Sequence, residues 1–263
     1  MLLAEKVAVL YGASGNVGRA VARAFAREGA TVFLTGRDRP SLESLAGSLG
    51  SEGGKAEAAV VDAVDEQAIE RHLDGVMEKT GRVDVSFNLS GIAQPGIQGI
   101  PLTALSVESF LLPLSHYLRS NFLTARAAAR RMVARRSGVI LMYTPEPARM
   151  GLPLVGGMGP AWAAMESLTR SLSAELAAQG VRAVCLRSTG LPETSTIDTV
   201  FGLHARALGI DRPAFLRMVE SRAHRQRSTS LAELTSAAVF AASDQAAALT
   251  GTVVNLTGGL SSD

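Results

Sequence analysis

Short apolar runs rich in valine recur along this chain, and most are followed by a longer stretch with helical spacing. The runs fall at 7–10, 31–34, 58–61, 83–87, 139–143, 181–186 and 252–256. A strand with one wet face alternates apolar and polar residues. A mostly unbroken run suits a strand covered on both faces. Between the runs, segments 18–27, 40–49, 66–80, 115–135 and 160–178 read as helices. Val21, Ala22, Phe25 and Ala26, for example, share one helical face. This alternation predicts an α/β fold built on a doubly wound parallel sheet flanked by helices. No internal repeat or linker divides the 263 residues, so a single domain over 1–263 is expected.

The first run ends in Gly12-Ala13-Ser14-Gly15-Asn16-Val17-Gly18, which opens the first helix. Glycines there permit a tight turn and let a pyrophosphate approach the backbone, while the helix N-terminus faces its negative charge. Gly12, Ser14, Gly15, Asn16, Val17 and Gly18 are therefore candidate dinucleotide-binding residues. The second run ends Gly36-Arg37-Asp38. An NAD site of this type places an acid at that strand end, to accept from the ribose 2′-hydroxyl. Gly36 has no side chain for this, and Arg37 suits a 2′-phosphate, so NADP(H) is favoured over NAD(H). The alternatives are that Arg37 is an exposed turn residue and that Asp38 reaches the ribose. Asp62 ends the third run, where it suits a nucleotide contact or a helix N-cap ahead of Glu66.

Further motifs extend the pattern. Asn88-Leu89-Ser90-Gly91 is similar to N-N-A-G, Leu168-Thr169-Arg170-Ser171-Leu172 to L-T-R-S-L, and Gly258-Gly259 follows the last strand. On these residues the chain resembles the short-chain dehydrogenase/reductase family over about 5–260, which implies a Rossmann-type fold and a nicotinamide cofactor. The loop spacing G-x-x-G-x-x-G departs from the family's G-x-x-x-G-x-G, with Asn16 at the usual middle glycine and Tyr11 at the usual threonine. The resemblance implies that Asp62 and Ala63 lie at the adenine, and that Asn88, Ser90 and Gly91 lie beside the cofactor. It implies a substrate lid at about 188–230, and a homodimer or homotetramer formed through the helices at 115–135 and 160–178. Family members use a Ser and a Y-x-x-x-K pair to move a proton. Those positions are Pro145, Met158 and Trp162 here, and none of Tyr11, Tyr117 and Tyr143 has a lysine four residues on.

Met158 and Pro145 cannot supply a proton, and Trp162 carries no charge that would acidify a phenol. The family's helix asparagine matches Asn121. Among neighbouring polar residues, Thr144 is taken as the substrate contact, with Tyr143, Glu146 and Tyr117 as alternatives; strand alternation lets only one of Tyr143 and Thr144 point in. Met150, Met158 and Trp162 make the expected cleft apolar, which suits a small hydrophobic ligand. Phe201, Leu203, Leu208, Phe215 and Met218 either line that pocket or dock the lid on the core. The function expected is an NAD(P)(H)-binding oxidoreductase with a non-standard site. The alternatives are a catalytically silent NADP(H)-binding protein and a non-redox enzyme reusing the pocket.

A net charge of +2 gives no electrostatic case for nucleic acid or an anionic membrane. His72, His116, His204 and His224 fall at no metal-ligand spacing, so no metal site is expected, and no nucleophile elbow supports a hydrolase. Cys185 sits in a strand run and is expected to be a small buried side chain. The chain enters its first strand directly and has no run long enough to span a bilayer, so a cytoplasmic protein is expected.

Overall fold

The computed structural model describes residues 1–262. The seven strands of the described residues join one parallel sheet in the order β3-β2-β1-β4-β5-β6-β7. They are β1 (Val7–Tyr11), β2 (Thr31–Gly36), β3 (Lys55–Val60), β4 (Val85–Asn88), β5 (Gly138–Pro145), β6 (Val181–Ser188) and β7 (Thr252–Leu256). The order reverses between β1 and β4, which opens a crevice at the carboxyl ends of those strands.

Helices α1 (Asn16–Arg27), α2 (Arg39–Ser51) and α9 (Leu231–Ala242) contribute to the core on one face. Helices α3 (Glu66–Thr80), α5 (Arg119–Arg135) and α6 (Met158–Leu176) contribute to the core on the other. Strands β1, β2, β5 and β6 send side chains into both cores, which is why their apolar runs are unbroken. Strand β3 differs. It starts at Lys55, earlier than expected, because its exposed edge allows Lys55 and Glu57 to alternate with alanines.

Helix α4 (Val107–Pro113) runs through a π-helical turn at Leu114–Leu118 into α5. The helical path thus begins well before residue 115, where the sequence pattern placed it. Pro113 removes one backbone donor, and the wider turn after it absorbs the loss. Within 188–230, helices α7 (Ser195–Ala207) and α8 (Arg212–Glu220) close on a small core of Val200, Phe201, Ala205 and Phe215.

Candidate active site

The loop after β1 is built for close approach. Gly12 sits at φ +70°, and a Cβ there would meet the Ser90 nitrogen at 2.6 Å. A Cβ on Gly18 would strike the Gly12 carbonyl. Gly15 is different, since a Cβ there would touch only the Gly12 oxygen, at 3.5 Å. It caps α1 without any side-chain hydrogen bond, and no acid occupies the first turn. The N-terminal amides of α1 therefore keep their partial positive charge for something outside the helix.

All the residues read above as nucleotide-binding line one cleft of about 600 Å³, which also reaches Asn121, Tyr143, Pro145 and Trp162. Its far end is set by the end of β2. Asp38 caps α2, accepting from the Ser41 amide at 3.3 Å and from its hydroxyl at 2.5 Å, and the Ser41 hydroxyl contact holds its carboxyl below the usual range. That occupies Asp38 with the helix, while Arg37 is exposed at the cleft edge. Asp62 is not the cap of α3. Asp65 is, accepting from the Ala68 amide, whereas Asp62 accepts from Val64 in a short turn. At the β4 end, the Asn88 carbonyl accepts from the Ser90 amide and hydroxyl, and its amide donates to Thr124, tying the turn to α5.

The middle of the cleft has an aromatic wall. The rings of Tyr117 and Trp162 lie 6.2 Å apart, and His116 meets Tyr117 edge-on at 5.5 Å. Asn121 follows the π turn and donates to the Tyr117 carbonyl at 2.9 Å, so it holds the helix distortion while its buried Oδ1 has no partner among the described residues. Met158 begins α6 fully buried in the core, and Trp162, one turn on, reaches the cleft. Among the described residues no lysine lines this cleft; Lys6 pairs with Asp244, Lys79 pairs with Glu57, and Lys55 lies on β3.

Thr144 is a correction to the sequence reading. It is fully buried, turned away from the cleft, and donates to Glu166 at 3.0 Å. Glu166 in turn lies 3.3 Å from the Arg187 guanidinium, so a buried carboxylate holds the hydroxyl inside the protein. Alternation instead turns Tyr143 into the cleft. Its hydroxyl donates to Ser188 at 2.9 Å, because the Ser188 proton is used on the Thr189 carbonyl at 2.7 Å. Burial pushes the Tyr143 hydroxyl well above its ordinary value.

Gln94, Gln98 and Thr194 also line the cleft and carried no signal in the sequence. The Gln98 amide bonds Gln94 at 2.6 Å, and its carbonyl bonds His204 at 3.0 Å. Of the five lid residues considered for the pocket, Phe201, Leu208, Phe215 and Met218 line a second pocket, and the backbone of Leu203 packs against Gly99 instead. Met150 lines neither space. Cys185 is fully buried, and burial pushes its thiol up to about 12, as befits an inert core side chain. No described helix is long and apolar enough to cross a membrane.

A family model described as enoyl-(acyl carrier protein) reductase matches residues 12–261. The chain belongs to the short-chain dehydrogenase/reductase family. A short chain dehydrogenase of Pseudocercospora fijiensis is 32% identical over 186 residues, which is 70% of this chain and 59% of that protein. The 1-deoxy-11-beta-hydroxypentalenate dehydrogenase of Streptomyces exfoliatus is 30% identical over 234 residues, 81% of this chain and 82% of its own length. Among solved structures, a gluconate 5-dehydrogenase from Burkholderia cenocepacia in complex with NADP and tartrate superposes with a TM-score of 0.85. It is 27% identical, over 98% of this chain and 96% of that one. The family consists of oxidoreductases that use nicotinamide nucleotides, and the residues of the first cleft fit such a cofactor. The uncapped N-terminus of α1 opens on this cleft, and a Cβ at Gly15 would meet no protein atom closer than 3.5 Å, so the loop leaves room there for an anionic group.

Proposed function

We propose that this short-chain dehydrogenase/reductase is an NADP(H)-dependent oxidoreductase whose proton does not come from the family's Ser-Tyr-Lys set. The observation that carries the cofactor choice is the end of β2. Gly36 offers no carboxylate, Asp38 is committed to capping α2, and Arg37 is exposed at the cleft edge. The NADP-bound gluconate 5-dehydrogenase relative agrees with this choice. When bound, the cofactor supplies or accepts a hydride. The loop Gly12–Gly18 and the end of α1 would hold its pyrophosphate, and Asp62 and Ala63 would flank its adenine.

The proton chemistry rests with this chain's own groups. Pro145 and Trp162 line the cleft where the family has Ser and Lys, and Met158 takes the Tyr position inside the core. Tyr143 holds its proton firmly, since burial raises it and no ammonium lowers it. Its hydroxyl is a hydrogen-bonding group for a substrate rather than a ready acid. A small apolar ligand suits Trp162, Met165, Leu191 and Val200, which line the cleft. A homodimer or homotetramer through the helices at 115–135 and 160–178 is the assembly that the family resemblance implies.

The test is calorimetry with both cofactors. NADPH is expected to bind more tightly than NADH, and Arg37→Ala to weaken NADPH alone by about 1.5–3 kcal/mol, the value of a hydrogen bond to a charged group. Tighter binding of NADH, or unchanged NADPH affinity in Arg37→Ala, refutes the cofactor assignment.

A further inference from the structure

The net charge of +2 conceals a local excess. Segment 204–227, from the last turn of α7 through α8, holds six arginines against two acids, Asp211 and Glu220. Elsewhere such runs are answered by acids across the surface. Arg126, Arg130 and Arg131 on α5, for example, pair with Glu66, Glu70 and Asp74 on α3. In the lid, Arg212 pairs with Asp198, and Arg225 and Arg227 share Glu233. Arg206, Arg217 and Arg222 are exposed, and no carboxylate among the described residues forms an ion pair with them. The two acids of the segment are engaged by backbone. Asp211 accepts from the Ala214 amide at 2.6 Å, and Glu220 accepts from the Ser228 amide at 3.0 Å.

The same place exposes apolar side chains. The small core of the lid uses Val200, Phe201, Ala205 and Phe215, which leaves the turn between the helices outside it. Residues 206–211 are exposed without interruption, so this turn protrudes. Leu208 and Ile210 stand on it, 45% and 38% exposed, and Met218 on α8 is 39% exposed. Leu208, Met218 and Arg222 border one opening, which makes the apolar and basic groups neighbours.

We propose that the α7–α8 turn docks on an anionic lipid bilayer, with Leu208, Ile210 and Met218 entering the boundary between headgroups and acyl chains, and Arg206, Arg217 and Arg222 meeting lipid phosphates. Charge complementarity selects the anionic surface, and shape selects a bilayer over a protein. A stable protein partner covers about 800 Å² of each surface, whereas a convex tip of a few apolar side chains ringed by arginine suits a membrane interface. Asp211 is the one acid on the turn, and it sits against the partial positive charge at the N-terminus of α8. Each arginine near such a surface strengthens binding about fivefold. Half-burying each of the three apolar side chains is worth about as much. Together these give on the order of a 10⁴-fold preference, the strength of a single myristoyl chain, so the docking is reversible. The proposal is independent of the cofactor reading.

The experiment is flotation of the whole chain with vesicles of phosphatidylcholine alone, or of two parts phosphatidylcholine to one part phosphatidylglycerol. Binding is expected on the mixed vesicles only, and it is expected to fall at high salt as the charges are screened. Arg217→Glu with Arg222→Glu is expected to weaken it at least about 25-fold, fivefold for each charge removed. Leu208→Ser with Ile210→Ser leaves the charge unchanged and is expected to weaken it about 25-fold as well. Arg71→Glu, a charge reversal on α3, is expected to change nothing. All these side chains are exposed, so thermal melts are expected to stay with the parent. A second reading uses Ile210→Trp, whose emission is expected to shift to the blue on the mixed vesicles and to be quenched by brominated acyl chains. No flotation with the mixed vesicles, equal flotation with phosphatidylcholine alone, or an unshifted Ile210→Trp emission overturns the proposal. Loss of binding in the arginine variant with none in the Leu208→Ser, Ile210→Ser variant also overturns it, because that is surface attraction of the kind an acidic protein would share. Weakening by Arg71→Glu equal to that of the lid arginines assigns the effect to net charge and overturns it too.

Discussion

Gly15→Asp separates folding from cofactor binding in this molecule. Gly15 holds φ −73° and ψ 164°, a region open to any L-residue, and the nearest atom to an added Cβ is 3.5 Å away. The side chain is therefore accepted without strain, unlike one at Gly12 or Gly18. An aspartate at this uncapped end of α1 interacts favourably with the helix dipole, so the free protein is expected to gain about 0.3–1 kcal/mol. The same charge opposes a bound pyrophosphate. At a separation of about 4 Å and an effective dielectric near 20, one pair of like charges costs about 4 kcal/mol, roughly a thousandfold in Kd. The neutral cap Gly15→Ser keeps the size change and omits the charge. Thermal melts and NADPH calorimetry on the three proteins give the answer. Unchanged or raised stability with NADPH binding lost only in the aspartate variant is the expected result. NADPH affinity within a few-fold of the parent in a folded Gly15→Asp protein refutes the assignment of this helix end to the pyrophosphate.

Two further outcomes follow from buried groups. Glu146 is protonated more readily folded than unfolded, so its contribution to stability is complete below about pH 4.5 and is lost as pH rises through about 7, on the order of 3 kcal/mol in all. The difference in denaturation free energy between wild type and Glu146→Gln is expected to shift by that amount across the window, and a flat difference excludes the raised titration; the comparison must be differential, because the buried His72, lowered to about 4, has the opposite slope. Thr144→Val removes the hydroxyl that donates to Glu166, and is expected to cost about 1–3 kcal/mol in urea denaturation while leaving NADPH affinity unchanged, since Thr144 lies outside the cleft. Unchanged stability with weakened NADPH binding contradicts that placement.

Local pattern carried most of the fold. The helix at 66–80 and the strand at 252–256 are read to the residue from their apolar patterns, although the helix is capped by Asp65 rather than by Asp62. The nucleotide loop was equally legible, since its glycines, its strand and its helix are contiguous. What was not legible depends on partners distant in sequence. Thr144 and Tyr143 are adjacent polar residues, and alternation allows either one to face the cleft. The choice is made by Glu166 on α6 and Ser188 on β6, which no local rule brings into view. Glu146 is likewise buried in a pocket lined by the distant lid residues Phe201 and Phe215. The helical path from 107 was hidden by Pro113, a residue that ends most helices and here precedes a π turn.

The most direct measurement uses Trp162, the single tryptophan of the chain, which lines the cleft beside Tyr117. Reduced nicotinamide absorbs where tryptophan emits, so a cofactor bound in this cleft must quench Trp162 and emit by energy transfer. Titration with NADPH is expected to give saturable quenching with matching nicotinamide emission at one site per chain, more tightly than with NADH, and to be lost in Gly15→Asp. Unquenched Trp162 emission at NADPH concentrations that calorimetry shows to be saturating places the cofactor elsewhere and contradicts the site.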